Sequence, residues 1–256
     1  MTPSVAAGSS ADCRSTGTGC DTTGTVDQRS MQIRARLDSI AMRDHAAWSS
    51  LLSGRFVVFD GPDGSGKSTQ FRALADAARA SGIETVEVRE PGGTPIGERI
   101  RDVLLDPALG EMVSRCEMLL YMASRAQLMA ERVQPALTRG AFVLADRFIS
   151  STLAYQGSAG GVPEDQIRTV GGIALGGRWP DLVVIFDVDW KTAQSRMKPT
   201  LDRVERKGEA YHARVRAGYL DQARHDPARY LVVDSSQTPE LVFEQVSRGM
   251  RERLAR

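Results

Sequence analysis

RFVVFDGPDGSGKST, residues 55–69, decides the fold. Its first half, RFVVFD (55–60), is a short apolar run of β-branched and aromatic residues that stops at a glycine-rich turn, as a buried parallel strand does. Its second half, Gly61-Pro62-Asp63-Gly64-Ser65-Gly66-Lys67-Ser68, satisfies G-x-x-x-x-G-K-[ST], and a helical pattern begins at Lys67. Strand, turn and helix in that order form a phosphate-binding loop. Glycines let the backbone wrap so that its N–H groups point at phosphate oxygens, and the helix N-terminus adds positive potential. Lys67 reaches the β and γ phosphates and Ser68 can ligate Mg²⁺. The loop, Gly61 to Thr69, is thus read as a nucleotide site, and the motif alone does not separate ATPases, GTPases, kinases and transport proteins.

Outward from this loop, four more runs read as strands: IETVEV (83–88), AFVLAD (141–146), DLVVIFDVD (181–189) and YLVVDS (230–235). Helical patterns span Lys67 to Ala80, Pro95 to Leu105, Glu111 to Leu137, Pro163 to Leu175, Trp190 to Met197, Glu209 to Ala223 and Pro239 to Leu254. Alternation of the two predicts βαβ units, hence an α/β protein whose parallel sheet carries helices on both faces. Residues 54–256 read as one domain. Residues 1–53 read as a leader, because residues 1–30 are half Ser, Thr and Gly and contain no Leu, Ile or aromatic side chain. A short helix is expected near its end, from the spacing of Ile33, Leu37 and Ile40, and Met31 or Met42 is an alternative start. The 33 Lys plus Arg against 32 Asp plus Glu argue against a globally basic nucleic-acid binder. No stretch approaches the 18 or so apolar residues of a membrane span, so the cytoplasm is the expected compartment. Cys13, Cys20 and Cys116 offer neither a disulfide framework nor a metal site.

Three further clusters flank the loop. REPGGTP (89–95) precedes Arg101 on a helix, MLLYMASRAQ (118–127) sets Tyr121 and Arg125 four apart on one helix face, and Asp146-Arg147-Phe148 ends a strand before SSTLAYQG (150–157). An aspartate at a strand's carboxyl end beside such a loop is where Mg²⁺ or its water shell is met, and an adjacent arginine can hold a phosphate. Each has a plainer reading: Tyr121 and Met122 as core, Arg125 as a solvated charge, Asp146 with Arg147 as a structural ion pair. FVVFDGPDGSGKSTQ, REPGGTPIGERIRDVLL, EMLLYMASRAQ, DRFISSTLAYQG, PDLVVIFDVD and DRVERKGEAYHARVRAGYL together resemble, in family order, the thymidylate kinases, phosphate-loop enzymes that make dTDP from dTMP and ATP.

The resemblance implies a three-layer fold of the phosphate-loop NTPase type with a five-stranded parallel sheet, a short lid at about 196–208, Mg²⁺ with the ATP, and a homodimer. Position by position, it puts Asp63 near the dTMP sugar and phosphate, Tyr121 on the thymine ring, where a Phe is usual, and Arg125 on a thymine carbonyl edge. It makes Ser151, Thr152, Tyr155 and Gln156 base and sugar contacts, Tyr155 crowding the 2′ carbon; Thr152 departs from the commoner Asn or Ser. Arg101, Arg147 and Arg89 hold the acceptor phosphate, and Ser68 and Asp146 the metal. Asp60 stands where a glutamate is common. The segment RMKPTLDRVERK (196–207) holds five basic and two acidic residues, which otherwise reads as a solvated charged loop. With Gly64 in the loop, where one subgroup has Arg, the resemblance assigns the catalytic cations to that lid. Lys67, Arg147, Arg203 and Arg206 are then expected on the transferred phosphoryl, with Arg196 near adenine or the lid hinge and Glu205 near the metal or lid. A kinase of the same fold acting on another nucleotide or a deoxynucleoside, or a nucleotide-binding protein without transferase activity, is the alternative.

Overall fold

In a computed structural model the described residues are 33, 36–37, 45–110, 112–197 and 202–255. Five strands, β1 (Phe56–Asp60), β2 (Thr85–Arg89), β3 (Phe142–Asp146), β4 (Leu182–Asp187) and β5 (Tyr230–Asp234), form one sheet in the order β2-β3-β1-β4-β5. Every pairing is parallel. β1, β3 and β4 are almost wholly buried because both faces of the sheet are covered, and their side chains alternate between two cores. Val57, Phe59, Leu144, Val184 and Phe186 enter one core; Phe56, Val58, Val143, Val183 and Ile185 enter the other.

The first core is closed by α1 (His45–Leu52), α2 (Lys67–Ala80) and α10 (Pro239–Leu254). The second is closed by α4 (Ser114–Leu128), α7 (Glu164–Leu175) and α9 (Glu209–His225). The remaining helices are α3 (Pro95–Leu105), α5 (Gln134–Thr138), α6 (Ile149–Thr152) and α8 (Trp190–Arg196). Chemistry at the helix starts sets several boundaries. Thr94 accepts from the Gly97 amide ahead of Pro95, and Asp189 accepts from the Thr192 amide at α8.

Three expectations need correction. The helix expected over 111–137 is α4, a π-helical turn at Met129–Val133 and α5 in succession. SSTLAYQG, left without an element in the sequence, is α6 followed by a second π-helical turn, Leu153–Ala159. The leader does not stop at residue 53 as a structural unit: Trp48 and Leu52 on α1, together with Leu37, are buried in the first core. Their apolar area covers α2 and α10 and is removed from water with the rest of the core. Cys13, Cys20, Met31, Ile40 and Met42 lie outside the described residues. Among the described residues no helix is long and apolar enough to cross a membrane.

Candidate active site

The carboxyl ends of β1, β2 and β3 lie in register, Phe59 beside Asp146 and Asp146 beside Arg89, so the loops that follow them converge on one mouth. The loop after β1 wraps as its glycines allow. Gly61 has φ 137° and a side chain there would approach Phe186 O to 2.6 Å; Gly64 has φ 74° and a Cβ would meet Ala193 O at 2.2 Å. With α8 lying against it, position 64 has no room for an arginine. At the centre of the loop, Lys67 Nζ donates to Gly61 O at 2.9 Å, Pro62 O at 2.8 Å and Ser65 Oγ at 3.4 Å. Burial, and then the Arg147 charge, pull its pKa down to about 8.

A cleft opens on this loop, lined by Asp63 to Thr69 with Asp146, Arg147, Arg196 and Glu205. Ser68 and Asp146 therefore share one cavity with Lys67. A hydroxyl and a carboxylate are hard oxygen donors, and Mg²⁺ bound with a nucleotide needs only one or two protein ligands beside phosphate and water, so these residues fit that ion. No larger group of acidic or imidazole side chains exists among the described residues to hold a metal by itself. Arg196 Nη1 donates to Ser235 O at 2.9 Å at the cleft's edge.

A second cavity adjoins the first and is lined by Tyr121, Arg125, Thr152, Tyr155 and Gln156 among others. Asp63, Glu90, Arg101 and Arg147 line both. Arg147 sits at this junction in the left-handed backbone region, φ 66°, a conformation that costs a non-glycine residue about 1–3 kcal/mol. Its surroundings hold it there. Nη2 donates to Asp63 Oδ1 at 2.5 Å, Nη1 to Ser151 Oγ at 3.1 Å and Tyr219 OH at 3.3 Å, and the guanidinium lies 5.4 Å from the Tyr155 ring centroid. Burial acts to raise the Asp63 pKa, but Arg147 and Lys67 more than offset it and hold it at about 2. Tyr155 OH donates to Asp63 Oδ2 at 3.2 Å.

Beneath the junction, Asp60 is fully buried and accepts from Ser150 Oγ at 2.5 Å, Ser151 Oγ at 2.7 Å, Tyr219 OH at 2.6 Å and the Gly61 amide at 2.9 Å. A shortened carboxylate thus ties β1 to α6 and α9. On the far wall, Arg125 is buried and forks onto Glu90, Nε at 2.8 Å and Nη2 at 2.5 Å from Oε2, while Nη2 also donates to Thr152 Oγ1 at 3.2 Å. Burial pushes Glu90 up to about 7 despite that guanidinium. Tyr121 faces the cavity, Met122 is in the core, and Arg101 Nη1 donates to Pro91 O at 3.0 Å. Arg89 is held by Glu98, each of whose carboxylate oxygens is 2.8 Å from Nη2.

These contacts dispose of the plainer readings. Tyr121 lines a cavity, Arg125 is not a solvated charge, and the nearest carboxylates to Arg147 are Asp63 and Asp60, not Asp146. Two lid expectations change. Arg203 does not line the phosphate cleft: it is buried, with Nε donating to Leu104 O at 2.9 Å and Nη1 to Glu117 Oε1 at 2.5 Å. The positive count of the segment says nothing about where a guanidinium points, and a buried carboxylate 86 residues away takes this one. Arg206 is exposed and does not line the cleft either, whereas Glu205 does. The sequence did not single out Glu90, which lines both cavities, nor Glu117 and Tyr219, which hold Gln156 and Arg147 at their walls. The acidic residue one turn before Tyr121 in an otherwise apolar run was the available signal for Glu117.

A family model described as thymidylate kinase matches residues 59–246. The thymidylate kinase of Pelotomaculum thermopropionicum is 44% identical over 204 residues, covering 78% of this chain and 94% of its own. That of an Exiguobacterium species is 44% identical over 205 residues, covering 79% and 97%. The crystal structure of thymidylate kinase from Ehrlichia chaffeensis superposes with a TM-score of 0.63 at 29% identity, over 78% of this chain and 99% of the other.

Proposed function

The chain belongs to the thymidylate kinase family, and on that premise we propose that its two adjoining cavities are the donor and acceptor sites of one phosphoryl transfer. The enzyme moves the γ-phosphoryl of ATP to dTMP and releases dTDP and ADP. The observation that carries the assignment of sites is that Asp63, Arg101 and Arg147 border both cavities, so a donor phosphate in one and an acceptor phosphate in the other meet across shared side chains.

In this reading Lys67 and the loop amides hold the ATP phosphates, and Arg196 borders the nucleotide's far end. Ser68 and Asp146 hold Mg²⁺, which supplies charge neutralisation when bound. Tyr121 stacks on the thymine ring, since stacking needs only a flat π face. Arg125, locked by Glu90, reads a base edge with Thr152, and Tyr155 and Gln156 close the sugar side. Arg101 and Arg89 bind the acceptor phosphate, and Arg147 bridges it to the transferred phosphoryl. That phosphate is an anion near neutral pH and is itself the nucleophile, so the site needs no strong base. Fixed cations and alignment supply the rate.

Leu119 on α4 and Ile173 on α7, 50% and 78% exposed on helices that pack together, support a homodimer through this face. Light scattering of the purified chain tests it, and a monomer at micromolar concentration removes it. The nucleotide substrates support the cytoplasm as compartment. A coupled assay with dTMP, dUMP, dGMP, CMP and thymidine as acceptors tests the substrate. The highest kcat/KM is expected with dTMP, and inactivity with dTMP alone overturns the assignment.

A further inference from the structure

Glu117 lies on α4 one helical turn before Tyr121 and is fully buried. Its Oε1 accepts from Arg203 Nη1 at 2.5 Å and from Lys207 Nζ at 2.8 Å, and its Oε2 accepts from Gln156 Nε2 at 3.0 Å. One carboxylate thus ties three elements: the helix that carries Tyr121, the π-helical turn that carries Gln156, and the basic segment after α8. Asp202 and Val204, on either side of Arg203, line the acceptor cavity. Lys207 Nζ also lies 4.8 Å from the Tyr211 ring centroid, and Tyr211 OH donates to Tyr155 O at 2.7 Å, so the same wall is engaged twice.

A buried carboxylate deprived of its cations is costly, as is a buried guanidinium deprived of its anion, so this arrangement strongly favours keeping the segment docked. We propose that Glu117 is a positioning residue that pins residues 202–207 onto the acceptor wall through Arg203 and Lys207, and thereby shapes the cavity that receives the monophosphate. Burial acts to raise the carboxyl's pKa, but the bonds from Lys207, Arg203 and Gln156 outweigh it and keep the group ionised at neutral pH. The lid's cations, on this account, act first through the protein's own carboxylate.

The consequence for the acceptor rests on the acceptor-site reading above; the docking itself does not. Amide hydrogen exchange of the full chain without nucleotide, wild type against Glu117→Gln, separates the two. Exchange of residues 202–208 is expected to rise on the order of tenfold or more, with the strands unchanged. Unchanged exchange of that segment overturns the proposal whatever the acceptor proves to be. If Glu117→Gln raises exchange everywhere, Lys207→Gln decides, since that side chain is only 24% exposed yet not core: acceleration confined to 202–208 supports the docking, and none overturns it. In steady-state kinetics Glu117→Gln is expected to raise the KM for the acceptor monophosphate about tenfold and that for ATP less than twofold. A lower kcat with both KM values unchanged is what a merely structural pair gives, and it overturns the positioning role.

Discussion

Arg147 is the residue on which the two cavities depend most. Its strained backbone is stabilised by contacts to Asp63, Ser151 and Tyr219, which aim one guanidinium at the junction. Arg147→Ala is expected to lower kcat by on the order of 10² or more in steady-state assays, as for other side chains aimed at developing charge. Arg147→Lys is not expected to restore it, because an ammonium cannot keep the planar contacts on both sides. Lys67 gives a pH dependence. Its pKa of about 8 lies below the ordinary lysine value, so the free enzyme loses this cation as pH rises through 8, and phosphate binding above that pH must take up a proton. kcat/KM for ATP is therefore expected to fall above about pH 8, and a flat profile to pH 10 contradicts the lysine's depressed value. Arg125→Ala leaves Glu90 buried without its cation and pushes its pKa further up from about 7, so that near pH 8 unfolding must release a proton. About 3–5 kcal/mol of stability is expected to be lost in urea titration at that pH.

Among the elements, the Leu153–Ala159 turn forms part of the wall of the second cavity. It carries Tyr155 and Gln156 and packs closely on α9, where a Cβ at Gly218 would come within 2.4 Å of Ser158 Oγ. Gly218→Ala is expected to force the two apart, costing about 1–3 kcal/mol and raising the KM for dTMP more than that for ATP. Wherever the boundary chemistry was local the elements were legible: α2, α3 and α10 begin and end where the residues 67–80, 95–105 and 239–254 predicted. The π-helical turns were not legible, because an extra residue in a helical turn leaves the apolar spacing nearly intact. α6 was missed for a different reason. Its Ser150, Ser151 and Thr152 have little local helix preference, and the contacts to Asp60 that hold Ser150 and Ser151 come from β1, 90 residues earlier. The site divides the same way. Lys67 and Ser68 follow from spacing within a motif and Asp146 from its place at a strand's carboxyl end, whereas Glu90, Glu117 and Arg203 gain their partners only from the fold.

At the scale of the molecule, the sheet separates two cores, and the site lies on the edge where β1, β2 and β3 end. Helix α1 precedes the segment matched by the family model, yet Trp48 is 1% exposed against α2 and α10. Trp48→Ala is expected to cost about 3–5 kcal/mol in urea titration while leaving the KM for dTMP unchanged, since the cavity it creates lies behind the phosphate loop's helix. The near-zero net charge of the whole chain is compatible with a site rich in cations, because Asp60, Asp63, Glu90 and Glu117 sit among the arginines and order them. Direct passage of the phosphoryl between the two cavities is tested by a single-turnover rapid-quench experiment with γ-labelled ATP and excess dTMP. Label is expected to leave ATP and appear in dTDP in one step, without a free-phosphate phase; label recovered only as inorganic phosphate, or retained on ATP, contradicts direct transfer.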